Sequence, residues 1–161
     1  MAVSVRFTIR PYRDGDAPAL AQIFFDAVRQ AAISDYTQAQ VEAWAPPVSD
    51  PARFAAKAGD GRLFLVAVNE QDGPIAFGDL EPDGHIDYLY CRPDFVGKGV
   101  ASALYDFLEA HARERAMPRL YVEASELARR LLQRKGFAVV TRRDFEVNGV
   151  MIHNYAMEKI L

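Results

Sequence analysis

Cysteine is almost absent from the sequence, since Cys91 is the single one among 161 residues. One thiol cannot close a disulfide within the chain, and it cannot supply the paired thiolates of a structural zinc site. The three histidines, His85, His111 and His153, also lack the close spacing of metal ligands. We therefore expect no metal site.

The chain also has no excess of positive charge and no long apolar run. Its formal net charge is −3, so nothing in it indicates a nucleic-acid partner. No stretch approaches the ~20 apolar residues of a membrane span, and the first residues lack the apolar region of a signal peptide. We expect a soluble, cytoplasmic protein with no membrane partner.

Half of the residues are hydrophobic and a quarter are charged, which is typical of a globular protein, and the length suits one domain over residues 1–161. The apolar spacing predicts a mixed α/β fold in which three central strands form an antiparallel meander and Asn148-Gly149 turns a tight hairpin. The predicted strands are 5–10, 63–68, 75–80, 85–91, 120–122, 137–147 and 150–159, and the predicted helices are 17–31, 38–43, 51–58, 100–112 and 126–135.

The stretch FVGKGVA at residues 95–101 places two glycines just before a predicted helix. The first turn of a helix has unpaired N–H groups and the positive end of the helix dipole, so an anion fits there. The amides of Gly97 to Ala101, with Lys98 nearby, could surround a pyrophosphate. Alternatively, the glycines only permit a positive φ in a tight turn. The spacing also approaches a dinucleotide fingerprint, although residues 92–96 separate it from the strand.

Three segments resemble the GNAT superfamily of N-acetyltransferases. LYCRPDFVGKGVASALYDFL at residues 89–108 is similar to the central cofactor motif of that family. EASELARRLLQRKGF at residues 123–137 is similar to its second motif, and RPYRDGD at residues 10–16 to its first strand and turn. The order of elements also matches, and the small bacterial, YafP-like subgroup is the most similar.

This resemblance implies a central, mostly antiparallel sheet that is flanked by helices and contains one parallel, splayed pair of strands. Acetyl-CoA, without a metal, would lie in the splay with its pyrophosphate on the glycine loop. The cofactor-binding residues would then be Leu89, Tyr90, Cys91, Val96, Gly97, Lys98, Gly99, Val100, Ala101, Ser125 and Arg129. Backbone groups near Tyr90 and Cys91 would face the pantetheine and the thioester. Val96, Ser125 and Leu132 depart from the residues usual in the family, and Leu132 replaces a tyrosine that often protonates the departing thiolate.

The implied reaction is direct attack of a primary amine on the thioester. An alkyl ammonium has a pKa near ~10.4, so a base must first remove a proton. Asp87, Glu81 and Glu123 are candidates because they lie on predicted central strands or directly at their ends, as Asp79 also does, where unpaired charge is costly. Each could equally have a structural, hydrogen-bonded role. Tyr155, or else Tyr121, could replace the missing tyrosine acid, although either could simply pack in the core.

The acceptor is expected to be the amine of a small molecule or a peptide. Phe25, Tyr36 and Trp44 could form walls of its pocket. Two other functions stay open on the sequence: an acyl-CoA-binding module without catalysis, and a dinucleotide-binding oxidoreductase. The Asn148-Gly149 hairpin could also serve a homodimer.

Overall fold

The computed structural model describes residues 5–47 and 50–161. Residues 1–4, which belong to the segment considered above for a signal peptide, lie outside the described residues. The strands are β1 (Thr8–Pro11), β2 (Leu63–Val68), β3 (Pro74–Leu80), β4 (Leu89–Cys91), β5 (Arg119–Ala124), β6 (Ala138–Val147) and β7 (Val150–Ile160). The helices are α1 (Ala17–Asp26), α2 (Gln38–Trp44), α3 (Pro51–Ala58), α4 (Val100–Glu114) and α5 (Glu126–Arg134). In the part that the structure describes, no helix is long and apolar enough to cross a membrane.

The strands form two antiparallel sheets, with orders β1-β2-β3-β4 and β5-β7-β6. The two sheets meet where His85 and Tyr121 make a parallel bridge. There Ile86 N–H donates to Tyr121 O at 3.0 Å, and Tyr121 N–H donates to Gly84 O at 3.0 Å. Beyond this point β4 and β5 share no ladder, so a gap opens between them. This confirms the predicted mixed α/β fold with one parallel, splayed pair.

Helices cover both faces of the first sheet because its central strands are apolar on both sides. Strand β3 is buried along almost its whole length. One core cluster includes Leu104 and Leu108 of α4, and the other includes Leu20 of α1 and Phe54 of α3. The sheet therefore holds the start of α4 close to the end of β4, where the glycine loop lies.

Strand β4 is shorter than the predicted strand 85–91, because a side chain interrupts the ladder. The Asp79 carboxylate accepts hydrogen bonds from the N–H groups of Asp87 and Tyr88, at 2.9 and 2.7 Å. Asp79 N–H still donates to Tyr88 O and Glu81 N–H to His85 O, so one extra residue bulges between these pairs. This bulge separates β4 from the segment that bridges to β5.

The predicted helix 17–31 also differs, because it ends as an α-helix at Asp26. It continues as a π-helical turn over Ala27–Ala31 and a 3₁₀ turn over Ala32–Ser34. Single π turns are frequent beside functional sites. Here the turn brings Ala27, Val28 and Ala31 against the gap between the sheets.

The hairpin prediction is confirmed. Asn148 and Gly149, both with positive φ at 47° and 80°, connect β6 to β7. This is the conformation that a two-residue I′ turn requires. Within the described residues β6 pairs only with β7, so it forms the outer edge of the second sheet.

Candidate active site

Two cavities lie on opposite sides of the gap between β4 and β5. We name the first the loop cavity; it has a volume of about 200 Å³ and is lined by the π turn, by β4, by the glycine loop and by α5. We name the second the hairpin cavity; it has a volume of about 150 Å³ and is lined by β4, by β5 and by the β6–β7 hairpin. The residues that line both are Trp44, Leu89, Tyr90, Ser125 and Ala128. A ligand in one cavity can therefore reach a ligand in the other through the gap.

The glycine loop leads directly into α4. Gly97 and Gly99 have φ of +78° and +84°, the left-handed region that L side chains rarely adopt. A Cβ atom on either glycine would meet nothing within 4 Å. The glycines are thus required by backbone conformation, and the space in front of them is open.

Most N–H groups of this loop have no partner within the part of the chain that the structure describes. Lys98 N–H donates to Phe95 O at 3.3 Å. The N–H groups of Gly97, Gly99 and residues 100–102 have no acceptor among the residues that the structure describes. They surround the N-terminus of the 15-residue α4, where the helix dipole adds positive potential. This is the arrangement that binds a phosphate or pyrophosphate.

Backbone groups of β4 also face the gap. Tyr88 O and Arg92 N–H bond to β3, and the register pairs Tyr90 with Phe77 in the same way. Because antiparallel residues alternate in direction, the N–H and C=O of Leu89 and Cys91 point away from β3. The family resemblance implied backbone groups near Tyr90 and Cys91, whereas the ladder favours those of Leu89 and Cys91.

The predicted cofactor residues lie in different places. Leu89, Tyr90, Cys91, Val96, Gly99, Ala101 and Ser125 line the loop cavity. Val100 is buried in the core, and Lys98 lies over the ring of Phe95 at 5.5 Å. Arg129 is held by Glu126 at 2.8 Å, and Arg134, which the sequence analysis did not single out, lines the loop cavity instead.

The Cys91 thiol has the surroundings of a packing residue. It is buried, with 9% of its surface exposed. Burial raises its pKa to about 12. The thiol therefore stays protonated at neutral pH and is a poor nucleophile.

Asp87 lines the hairpin cavity, and two cationic side chains bind its carboxylate. Its Oδ2 lies 2.7 Å from Lys57 Nζ and 3.1 Å from Arg62 Nη1. Burial would raise the pKa of Asp87, yet the hydrogen bond and charge of Lys57, with Arg62, bring it below its ordinary value. An ionised Asp87 attracts a cation but binds a proton weakly.

Glu81 and Glu123 hold the His85 ring between them. Glu123 Oε2 lies 2.5 Å from His85 Nε2, and Glu81 contacts Nδ1. The hydrogen bond to Glu123 raises the pKa of His85, burial opposes it, and Glu81 adds to the rise, to about 9. The bond to His85 in turn lowers the pKa of Glu123. Glu123 lines the hairpin cavity, whereas Glu81 lines neither cavity and bonds Arg62 at 2.8 Å.

Asp79 has a structural position. It is fully buried, and besides the two strand N–H groups its carboxylate contacts Arg62 Nη1 at 2.6 Å. Burial raises the pKa of Asp79, although these hydrogen bonds oppose the rise. Asp79 thus fixes the β4 bulge from which Asp87 projects.

The tyrosines considered as acids lie outside both cavities. Tyr155 donates its hydroxyl proton to Glu126 Oε1 at 2.8 Å, and Tyr121 donates to Asp83. Leu132, at the position of the family tyrosine, is fully buried and lines the hairpin cavity. The side chain at this position is therefore not a phenol and cannot protonate a thiolate.

Tyr36 and Trp44 line the hairpin cavity as walls, whereas Phe25 does not. The Tyr36 hydroxyl donates to His153 O at 3.0 Å and accepts from the first N–H of α5, that of Glu126, at 3.1 Å. His153 lines the same cavity and bonds Glu126. His153 and Glu126 were not predicted as site residues, because 27 residues separate them and no local pattern joins them.

Comparisons with known proteins agree with this geometry. Residues 32–159 match the family model described as an acetyltransferase (GNAT) domain. The chain is 32% identical over 149 residues to a protein of Escherichia coli (strain K12) described as the uncharacterized N-acetyltransferase YafP, covering 92% of this chain and 93% of that one.

Solved structures show the same fold. A GCN5-related N-acetyltransferase of Rhodopseudomonas palustris, described as an aminotransferase, class II, is 37% identical with a TM-score of 0.89, and it covers 100% of this chain and 99% of that one. The PaiA N-acetyltransferase of Thermoplasma acidophilum, in complex with coenzyme A, is 16% identical with a TM-score of 0.76, over 97% and 99%. Among the described residues, no group of three or more His, Cys, Asp or Glu is placed to hold a metal ion.

Proposed function

The chain belongs to the GNAT family of N-acetyltransferases, and from this premise we propose that residues 1–161 form one domain that transfers an acetyl group from acetyl-CoA to a primary amine. The acceptor is a small molecule or a peptide, and its amine attacks the thioester directly. The observation that carries this proposal is the row of unpaired N–H groups at Gly97, Gly99 and residues 100–102, which opens beside the gap between β4 and β5.

The chemical groups of acetyl-CoA match the groups that line the loop cavity. Its pyrophosphate would accept hydrogen bonds from the glycine-loop amides, each worth about 1.5–3 kcal/mol to a charged partner. Lys98 and Arg134 supply positive charge near that end. The coenzyme A complex of the Thermoplasma acidophilum relative supports the same ligand here.

The pantetheine arm would run along the exposed backbone of β4 and bring the thioester into the gap. The N–H of Leu89 or Cys91 would then donate to the carbonyl oxygen as negative charge develops on it. Such preorganised donors stabilise a developing oxyanion. The strand is already held by β3, so this donor needs no rearrangement.

The amine would enter from the hairpin cavity. Its carboxylates, Asp87 and Glu123, favour a cationic ammonium, and Tyr36, Trp44 and Phe145 favour an apolar body. No lysine or arginine is among the described residues that line this cavity. A coenzyme A thiolate leaves unaided, because a thiol has a pKa near ~8.5, so the absence of a family tyrosine at Leu132 does not prevent the reaction.

Calorimetry and a turnover assay test the proposal together. We expect wild-type protein to bind acetyl-CoA and to release coenzyme A with at least one amine among phenethylamine, cadaverine and a lysine-containing peptide. Binding without turnover would favour the non-catalytic acyl-CoA module. Stabilisation against heat by NADH but not by acetyl-CoA would favour the oxidoreductase.

A further inference from the structure

The hairpin cavity contains an imidazole beside its carboxylates. His153 lies on β7, and 15% of its side chain is exposed. Its Nε2 lies 2.8 Å from Glu126 Oε1. Glu126 is the first residue of α5, where a negative side chain is stabilised by the helix dipole.

Neighbouring groups fix both members of this pair. Tyr155 donates its hydroxyl proton to the same Glu126 oxygen at 2.8 Å, and Arg129 bonds the other oxygen at 2.8 Å. The Tyr36 ring lies against the His153 ring with centroids 5.0 Å apart. The Tyr36 hydroxyl also joins His153 O to the N–H of Glu126, so strand and helix are tied at this point.

The hydrogen bond to Glu126 determines which ring nitrogen holds the proton. Burial would raise the pKa of Glu126, but the hydrogen bonds from His153, Arg129 and Tyr155 lower it to about 2. An ionised carboxylate only accepts hydrogen bonds. In the neutral ring Nε2 is therefore the donor, and Nδ1 keeps the lone pair.

The Nδ1 atom has different surroundings from Nε2. It has no hydrogen-bond partner among the described residues. Every fully buried side-chain nitrogen and oxygen atom in that part of the chain has a partner. Nδ1 is therefore not fully buried, and His153 lines the cavity that would receive the amine.

The alternative bases in the cavity are weaker. Asp87 is paired with Lys57 and Arg62, and Glu123 with His85, and both have a lowered pKa. A base works best when its pKa is near the working pH. Imidazole is the side chain that ordinarily changes charge between pH 5 and 8.

We propose that His153 is the general base of the acetyl transfer and that Glu126 is the residue that positions it. This inference rests on the proposed function. The His153 ring removes one proton from the acceptor ammonium at Nδ1, and the neutral nitrogen attacks the thioester carbonyl carbon. The carbon–sulfur bond then breaks, and the second proton of the attacking nitrogen passes to the departing thiolate. The products are the amide, coenzyme A and one proton, which the imidazolium returns to solvent.

Other titratable or charged groups surround the ring and could affect its titration. They are Glu126 and Arg129 on α5, Tyr155 on β7, Asp144 and Arg142 on β6, Tyr36 before α2, and Asp87 and Glu123 across the cavity. Each of these groups ordinarily titrates outside the range from pH 5 to 8, in which imidazole ordinarily changes charge.

The test is the pH dependence of kcat/KM for wild-type protein and His153→Gln, with the most active amine among phenethylamine, cadaverine and a lysine-containing peptide. We expect kcat/KM of wild type to fall as the pH drops through the imidazole range. His153→Gln should lose this limb and about 10²–10⁴-fold in kcat/KM, with acetyl-CoA affinity unchanged within twofold. His111→Gln, on the distant α4, is the matched control and should behave as wild type.

The position of the ring proton is measured without a variant, by ¹⁵N NMR of the histidine side chains in the wild-type protein. We expect the neutral His153 ring to carry its proton on Nε2, and Glu126→Gln to mix the two tautomers and to lower kcat at least tenfold. An Nδ1–H ring, or a His153→Gln enzyme with the wild-type acidic limb, would overturn the base assignment alone. A wild-type protein that acetylates none of these amines would instead refute the proposed function.

Discussion

The two sides of the gap between β4 and β5 are built from different groups. On the loop side, the main-chain N–H groups of Gly97 and Gly99 have no acceptor among the described residues, and a Cβ on either glycine would meet open space. On the hairpin side, Asp87, Glu123 and His153 are each held by another charged side chain. Under the proposed function, the loop side would recognise the diphosphate of the cofactor through main-chain groups, whereas the hairpin side would recognise the acceptor through pairs of side chains.

The largest effect should come from the hairpin side, because the Asp79 carboxylate that fixes its β4 bulge also supports the fold. We expect Asp79→Ala to lower the free energy of unfolding by about 2–5 kcal/mol, since two strand N–H groups lose their acceptor at about 1–3 kcal/mol each, while Arg62 keeps its other carboxylates. Urea denaturation measures this. Asp144→Ala is the control: its ion pair with Arg142 is more than half exposed, so we expect a change within about 0.5 kcal/mol. A loss below about 1 kcal/mol in Asp79→Ala would contradict this structural role.

A second prediction separates the loop side from the rest of the chain. Gly99→Asp places a carboxylate where the diphosphate should bind, and its Cβ meets no atom within 4 Å. We expect acetyl-CoA affinity to fall at least about 100-fold, or about 2.8 kcal/mol, by calorimetry. The matched control is Gly149→Asp, with a φ of +80° and equally open space. It should show the same backbone strain and unchanged affinity, and equal losses in both variants would refute the anion site.

The third prediction concerns pH and the His85 bridge between the two sheets. The pKa of His85 is about 9 in the folded protein, above its ordinary value of 6.5. A raised pKa means that this contribution to stability is complete below pH 6.5 and is lost as the pH rises through 9. We expect the free energy of unfolding of wild type to decline over this range more than that of His85→Gln, while His111→Gln keeps the wild-type slope. Parallel curves for wild type and His85→Gln would contradict a stabilising role of protonated His85.

Features that depend on local backbone conformation could be predicted from the sequence. The glycine loop and the Asn148-Gly149 turn need a positive φ, and glycine and asparagine are the residues that supply it. The paired glycines before an amphipathic run also marked the start of α4 within one residue. The strands could be predicted because their apolar residues are continuous or alternate along the sequence.

Features that depend on contacts between distant side chains could not be predicted. Strand β4 is short because the Asp79 carboxylate, eight residues earlier than Asp87, takes the N–H groups of the ladder. Arg62 contacts both Asp79 and Asp87, which no periodicity indicates. His153 meets Glu126 only because β7 lies beside β5 and the start of α5 follows β5.

The central claim is that main-chain amides of the glycine loop hold the diphosphate of the cofactor. The most direct measurement is an ¹⁵N–¹H NMR titration of the wild-type protein with coenzyme A, followed at each assigned amide. We predict large shifts at Gly97, Gly99, Val100 and Ala101, and none at Gly149. Saturable binding that leaves those four amides unchanged would contradict the claim.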